Sequence, residues 1–250
     1  MASTSIVYPR PPIAEAIIVF RFSADVTSPE LLAVVQGALG DQYSGQRRSQ
    51  DLQALRDGAG PAGGVTTQKK ALGLTFLTSE DGLRIVGCGD GILSVHVLAP
   101  YPGWAALLEQ ATAVIRAATP LLEESGFHQI AVRYIDRIAL PVDEGLFFKD
   151  CLTVFPNKPA AMPESLLGFQ YATHSVDPQD GTTASMILAS APAGDDGRPV
   201  AIFDLTVWRQ GSPLAGLDEA KWHEIVDVLH QRQREIFEAS ITDKLRETFQ

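Results

Sequence analysis

Residues 133–137 read Arg-Tyr-Ile-Asp-Arg, the densest polar feature inside any apolar segment of the chain. In an extended strand successive side chains alternate between faces. Tyr134 and Asp136 therefore share a side with Ile130, Val132, Ile138 and Leu140, and Arg133 and Arg137 share the other with Ile135. Two guanidinium groups on one face could receive an anionic ligand or the acidic surface of a partner. Arg133, Arg137 and Tyr134 are thus the candidate binding residues. The competing reading is a structural ion pair, since Asp204 in the segment VAIFDLTVW could neutralise one arginine. Asp136, on the apolar side, needs a cation or several donors, because an unpartnered buried charge costs on the order of several kcal/mol. Asp136, Asp204 and Glu15, which stands at the mouth of the first expected strand, are assigned structural roles.

His223, Asp227 and His230 recur at i, i+4 and i+7 and could present three metal ligands from one helix face. No second ligand-rich segment completes such a site, and Arg234 continues the stripe, so a solvated helix face is the simpler reading. His96 alternates with Ser94, and His174 lies between Thr173 and Ser175. Either histidine could act as a base, but no serine or cysteine stands in an activating motif. The run GCGDG at 87–91 resembles a phosphate loop only in composition. A phosphate cradle needs a helix N-terminus directly after its glycines, and a strand follows here. No cofactor is expected.

The formal net charge of −10 disfavours a nonspecific nucleic-acid binder, because a polyphosphate would be repelled on average. The two cysteines, Cys88 and Cys151, lie in dissimilar segments, with neither a disulfide framework nor metal-ligand spacing. The opening MASTSIVYPRPP has no apolar run of a signal peptide, and no stretch of about 18 apolar residues is present. A cytoplasmic protein is expected.

The elements that must hold these residues can be read in order. Three prolines keep 6–13 extended, and a strand with two apolar faces follows over 15–22, which places it centrally in a sheet. Ser28-Pro29-Glu30 starts a helix that stops at Gly40, with Ser28 as its cap. Residues 41–70 are polar and then glycine-rich, which predicts a long mobile excursion. Strands over 72–79, 83–88 and 92–99 are joined by turns ending in Gly82 and Gly91. A helix from Trp104 to about Ser125 contains Pro120 and stops at Gly126; then comes the strand over 127–141. Residues 142–165 carry Pro156, Pro159 and Pro163 and are left unassigned. Strands over 166–176, 183–191 and 200–209 precede a final helix capped by Asp218 and breaking near Ser240.

Both halves thus run strand, connection, three antiparallel strands, long helix. Each final helix carries a tryptophan near its start, Trp104 and Trp222, with Leu107, Leu108 and Ala111 matching Ile225, Val226 and Leu229. The expectation is an α+β protein of two tandem lobes, 1–126 and 127–250, related by an approximate two-fold axis within one compact unit. Their sheets could join into one curved sheet with both long helices on the same face. That would leave the opposite, concave face to a ligand or partner.

The segments PPIAEAIIVFRF, YPGW, RYIDRI and LHQRQREIFEASITDKLRETF together resemble a sporadically distributed bacterial family of about this length, recognised by an N-terminal Pro-Pro-Ile-x-Glu-Ala pattern. The family has no established activity, so the resemblance implies no catalytic residues. Its patchy distribution is similar to that of mobile accessory genes such as toxin–antitoxin or phage-defence components. Three function classes follow. The first is a non-enzymatic accessory protein that binds a protein partner or its own copies. The second is a binder of a small anionic ligand or nucleotide on the sheet face. The third is a nuclease or RNA-processing enzyme, which the net charge disfavours.

Overall fold

The computed structural model describes residues 7–22, 25–48 (46–48 by backbone), 74–122, 126–141, 148–154, 159, 161–162, 168–194, 196–211 and 218–250. Its strands are β1 (Ile13–Arg21), β2 (Gly45–Arg48), β3 (Thr75–Thr78), β4 (Arg84–Gly89), β5 (Ile92–Leu98), β6 (Gln129–Ala139), β7 (Gln170–Val176), β8 (Thr183–Ala191) and β9 (Val200–Gln210). The helices are α1 (Ser28–Leu39), α2 (Trp104–Leu122), α3 (Phe148–Cys151), α4 (Glu219–Ser240) and α5 (Asp243–Glu247). All described strands form one antiparallel sheet in the order β2-β3-β4-β5-β1-β6-β9-β8-β7. Helices pack on it, so the α+β class holds.

β1 and β6 sit at the centre because both their faces can be buried. Ala16, Ile18 and Phe20 pair in register with Tyr134, Val132 and Ile130 on the helix-covered side. Two amphipathic helices cover that side. α4 buries Trp222, Val226, Leu229, Gln233 and Phe237, and α2 buries Leu107, Ala111, Val114, Ile115 and Ala118, each at steps of three and four. Aromatic edges lock the layers: Phe20 meets Trp222 at 5.3 Å and Phe203 meets Phe237 at 5.7 Å, both near perpendicular. α1 lies on the same side, against α2 and β4.

The cap of α1 is Thr27, one residue earlier than expected. Its backbone N–H and hydroxyl both donate to Glu30 Oε2, at 2.9 and 2.7 Å. Ser28 instead donates its hydroxyl to the Cys88 carbonyl. The GCGDG segment closes the β4–β5 hairpin, with Gly91 at φ 63. Asp90 Oδ1 accepts from Ser28 N at 2.8 Å, so a carboxylate of the chain itself occupies the first turn of α1.

The expected excursion from 41 begins as structure. Gly40–Gln42 forms a 3-10 turn, and β2 pairs with β3 from Gly45 opposite Thr78 to Arg48 opposite Thr75. The cause is backbone: the free edge of β3 offers unpaired N–H and C=O groups, which a polar segment satisfies as well as an apolar one. The glycine-rich part of that excursion, 49–73, lies outside the described residues, as does most of 142–167.

An N-terminal arm crosses the end of the sheet. Arg10 N donates to Phe249 O at 3.0 Å, and Arg137 N to Pro12 O at 2.8 Å. Tyr8 meets the Phe249 ring edge-on at 5.3 Å. Prolines suit this path because the arm needs extended backbone and few donors.

Candidate functional site

Beneath that arm lies a cavity of about 520 Å³. Its walls are the arm from Val7 to Ile13, the Tyr101–Trp104 lead into α2, the end of β6, and α4 from His230 to Glu238. The floor is Asp136, 2% exposed, whose Oδ2 has no hydrogen-bond partner among the described residues. Burial pushes its carboxyl up to about 8, and the negative charge of Asp204 adds to the effect. The pairing expected for Asp136 is therefore corrected. The arginines adjacent in sequence point to the opposite face, and alternation along β6 forbids them from reaching it.

Tyr134, two residues earlier on the same side, shares a 2.8 Å hydroxyl–hydroxyl hydrogen bond with Tyr101. Burial raises both phenols, Tyr101 to about 12, so both are neutral donors at ordinary pH. Trp104 stacks on His230, and its Nε1 donates to Asp227 Oδ1 at 2.7 Å. Burial drives His230 down to about 4, with Arg234 contributing, so this imidazole is neutral. On the arm, Tyr8 donates to Glu238 at 2.9 Å, and Glu238 also receives Arg246. The result is a cleft with aromatic and proline walls, neutral Tyr and His groups along them, Arg234 and Glu238 on its α4 side and the buried Asp136 at its base.

The expected stripe His223, Asp227 and His230 does lie on one side of α4, but its side chains are engaged by α2: the two histidines are half-buried there and Asp227 stays exposed. His223 Nε2 lies 2.9 Å from Thr112 Oγ1. Because that hydroxyl already donates to Leu108 O, the imidazole is the donor. Asp227 takes the Trp104 indole and His230 its ring face. The physical reason is that two long helices share one sheet face, so part of each polar flank becomes a helix–helix seam. Among the described residues no three His, Cys, Asp or Glu side chains gather as a metal site.

Arg133 lies on the sheet face opposite α2 and α4 and donates from Nε and Nη2 to both Asp204 oxygens, at 2.7 and 2.5 Å. Burial opposes its charge, and these two bonds outweigh that, leaving its pKa raised. Arg137, farther along β6, is exposed and borders a smaller depression with Gly194, Asp196 and Val200. Glu15 Oε1 lies 2.8 Å from His96 Nδ1, and His96 Nε2 lies 2.8 Å from Ser94 Oγ. This order is that of an acyl-transfer triad. Ser94, however, is 3% exposed and sits over Gly87, where even an added Cβ would lie 2.4 Å from Oγ. No acyl carbon can approach that oxygen, and we read the chain as a structural link between β1 and β5. Cys88 and Cys151 are both buried free thiols.

Sequence reading missed Tyr8, Tyr101, Trp104, Gln233 and Arg234 as cavity residues. For Tyr8, Tyr101 and Trp104 the signal was an aromatic–proline composition at two places about 90 residues apart, 7–13 and 101–104; Gln233 and Arg234 carried none. No helix among the described residues is long and apolar enough to cross a membrane. A scan of the chain against protein-family models finds no match, and a search of curated proteins likewise finds none.

Proposed function

We propose that this protein binds a small molecule in the cleft between the N-terminal arm, β6 and α4. One observation carries the reading: Asp136 Oδ2 is buried at the base of an aromatic-walled cavity with no hydrogen-bond partner among the described residues. Leaving such a group unsatisfied costs about 1–3 kcal/mol, which a ligand donor would recover. The cavity volume falls in the usual range for small-molecule sites. The test is mass spectrometry of molecules released on denaturing the protein purified from its own cells. One compound retained in stoichiometric amount, and lost when Tyr101→Trp fills the cleft, is the expected outcome; an empty wild type sinks the reading.

A second reading is a partner-binding accessory protein of the defence or toxin–antitoxin kind. The observation favouring it is the sheet face opposite α2 and α4, where Arg137 is exposed and the edge strand β7 leaves Val176 61% exposed. An Arg137→Glu variant should then lose an interaction retained by a variant of the cleft.

The two-lobe duplication belongs here as well. The order β3-β4-β5-β1 is mirrored by β7-β8-β9-β6, and each half ends on a long helix. Glu15 stands opposite Leu98 and reaches diagonally to His96; Arg133 stands opposite Thr206 and reaches diagonally to Asp204. The two side-chain pairs occupy corresponding places. Fragments 1–126 and 127–250 produced together should reassemble through β1 and β6; failure to associate would count against the lobes as units.

A further inference from the structure

We infer that the cleft ligand is an organic cation, a primary amine or similar protonated nitrogen on an apolar body, whose charged end meets Asp136. This rests on the reading of the cleft as a ligand site and assigns it a chemical class.

The argument starts from what Asp136 lacks. A buried carboxyl within a protein ordinarily has donors or a cation bonded to it, and among the described residues none bonds to Oδ2. The charge that bears on it is negative, that of Asp204 on the neighbouring strand, whose own arginine partner lies across the sheet. A neutral donor would satisfy one hydrogen bond. An ammonium would do that and also supply the positive charge that lets the acid ionise in a dry site.

The walls suit the same guest. Tyr101, Trp104, Tyr134, Tyr8 and Phe237 line the cavity, and their ring faces attract a cation, while prolines of the arm offer only apolar surface. The titratable groups around the space are few. Tyr8 on the arm and Tyr101 and Tyr134 are held neutral, and His230 is neutral. Glu238 is bound to Tyr8 and Arg246. Arg234, on α4, bears on Tyr101, Tyr134 and His230. The binding step balances simply: the ligand arrives with its proton, Asp136 gives its own proton to solvent, and an ammonium–carboxylate pair remains.

The experiment is titration calorimetry with matched probes, 2-phenylethylamine and 1-butylamine against 2-phenylethanol and 1-butanol. It is run at neutral pH in two buffers of different ionisation enthalpy. At least one amine should bind tenfold or more tighter than its alcohol, releasing up to one proton, and the Asp136→Asn variant should lose that preference while keeping its fold. Equal binding of amine and alcohol would overturn the cation assignment and leave the cleft as a ligand site. So would an amine preference that survives Asp136→Asn. No binding of any probe, together with an empty cleft by the mass-spectrometric test, would overturn the site itself.

Discussion

The indole of Trp104 lies flat on the imidazole of His230, with ring centroids 4.0 Å apart and planes 11° from parallel. The contact ties the first turn of α2 to the middle of α4, and so closes one wall of the cleft. Trp104→Ala removes the stack and leaves Asp227 without its indole donor. It should destabilise the fold by about 1–3 kcal/mol. Trp104→Phe keeps a ring over His230 and should cost about 1 kcal/mol, the indole hydrogen bond alone. Urea unfolding of the two variants separates these contributions. Histidine NMR should show the His230 pKa rising toward its ordinary 6.5 only in the alanine variant.

The unpartnered acid makes stability depend on pH in a stated direction. Asp136 has a folded value of about 8 against an ordinary 3.8, so between these the folded state holds more protons and stability falls as pH rises. His230 has about 4 against 6.5, so between these the unfolded state holds more protons and stability rises with pH. From about 4 to 6.5 the two oppose each other. From 6.5 to 8 only the aspartate acts, and stability should drop by up to about 1.4 kcal/mol per pH unit. Urea midpoints across pH check this. In Asp136→Asn the fall above 6.5 should vanish and the protein should gain about 1–3 kcal/mol at pH 8. In His230→Gln the decline should instead begin near pH 4. A wild type whose stability rises between 6.5 and 8 would contradict the burial assigned to Asp136.

Arg133 and Asp204 form a bidentate pair whose side chains are 27% and 16% exposed. Breaking it from either side strands a part-buried charge, so Arg133→Ala and Asp204→Ala should each cost about 1–3 kcal/mol. The double variant should cost less than their sum by about 1–2 kcal/mol. Arg137→Ala, at an exposed position, should fall within about 0.5 kcal/mol of wild type. Equal losses at Arg133 and Arg137 in thermal melts would remove the distinction.

Gly87 permits the close approach of β4 to β5. A Cβ there would lie 2.4 Å from Ser94 Oγ and 2.9 Å from the Phe76 ring. Gly87→Ala should displace Ser94 from His96 and cost about 1–3 kcal/mol. A shift of the His96 ring signals by NMR, together with a lowered melting temperature, checks both parts.

Much of the framework was legible because it is local. Two apolar faces on 15–22 marked a central strand, alternation marked the long strand over 127–141, glycine turns marked hairpins, and Asp218 announced the start of α4, where its side chain accepts from Lys221 N at 2.9 Å. Alternation along β6 by itself puts Asp136 on the side of Val132, Tyr134 and Ile138, and all four are buried. β2 escaped notice, because an edge strand is recruited by the backbone of its neighbour and needs no apolar pattern.

What alternation along one strand cannot state is what covers each face. That the Asp136 side would meet Tyr8, Trp104 and α4, while Arg133 found Asp204 on the other, was decided by contacts between residues far apart in the chain. Tyr8 and Glu238 are 230 positions apart, and Trp104 and Asp227 are 123 apart. Periodicity, capping and turn chemistry act over a few residues and set the elements and their faces. The cleft exists only once the sheet brings both ends of the chain and both long helices to one place, and the buried acid at its base has meaning only there.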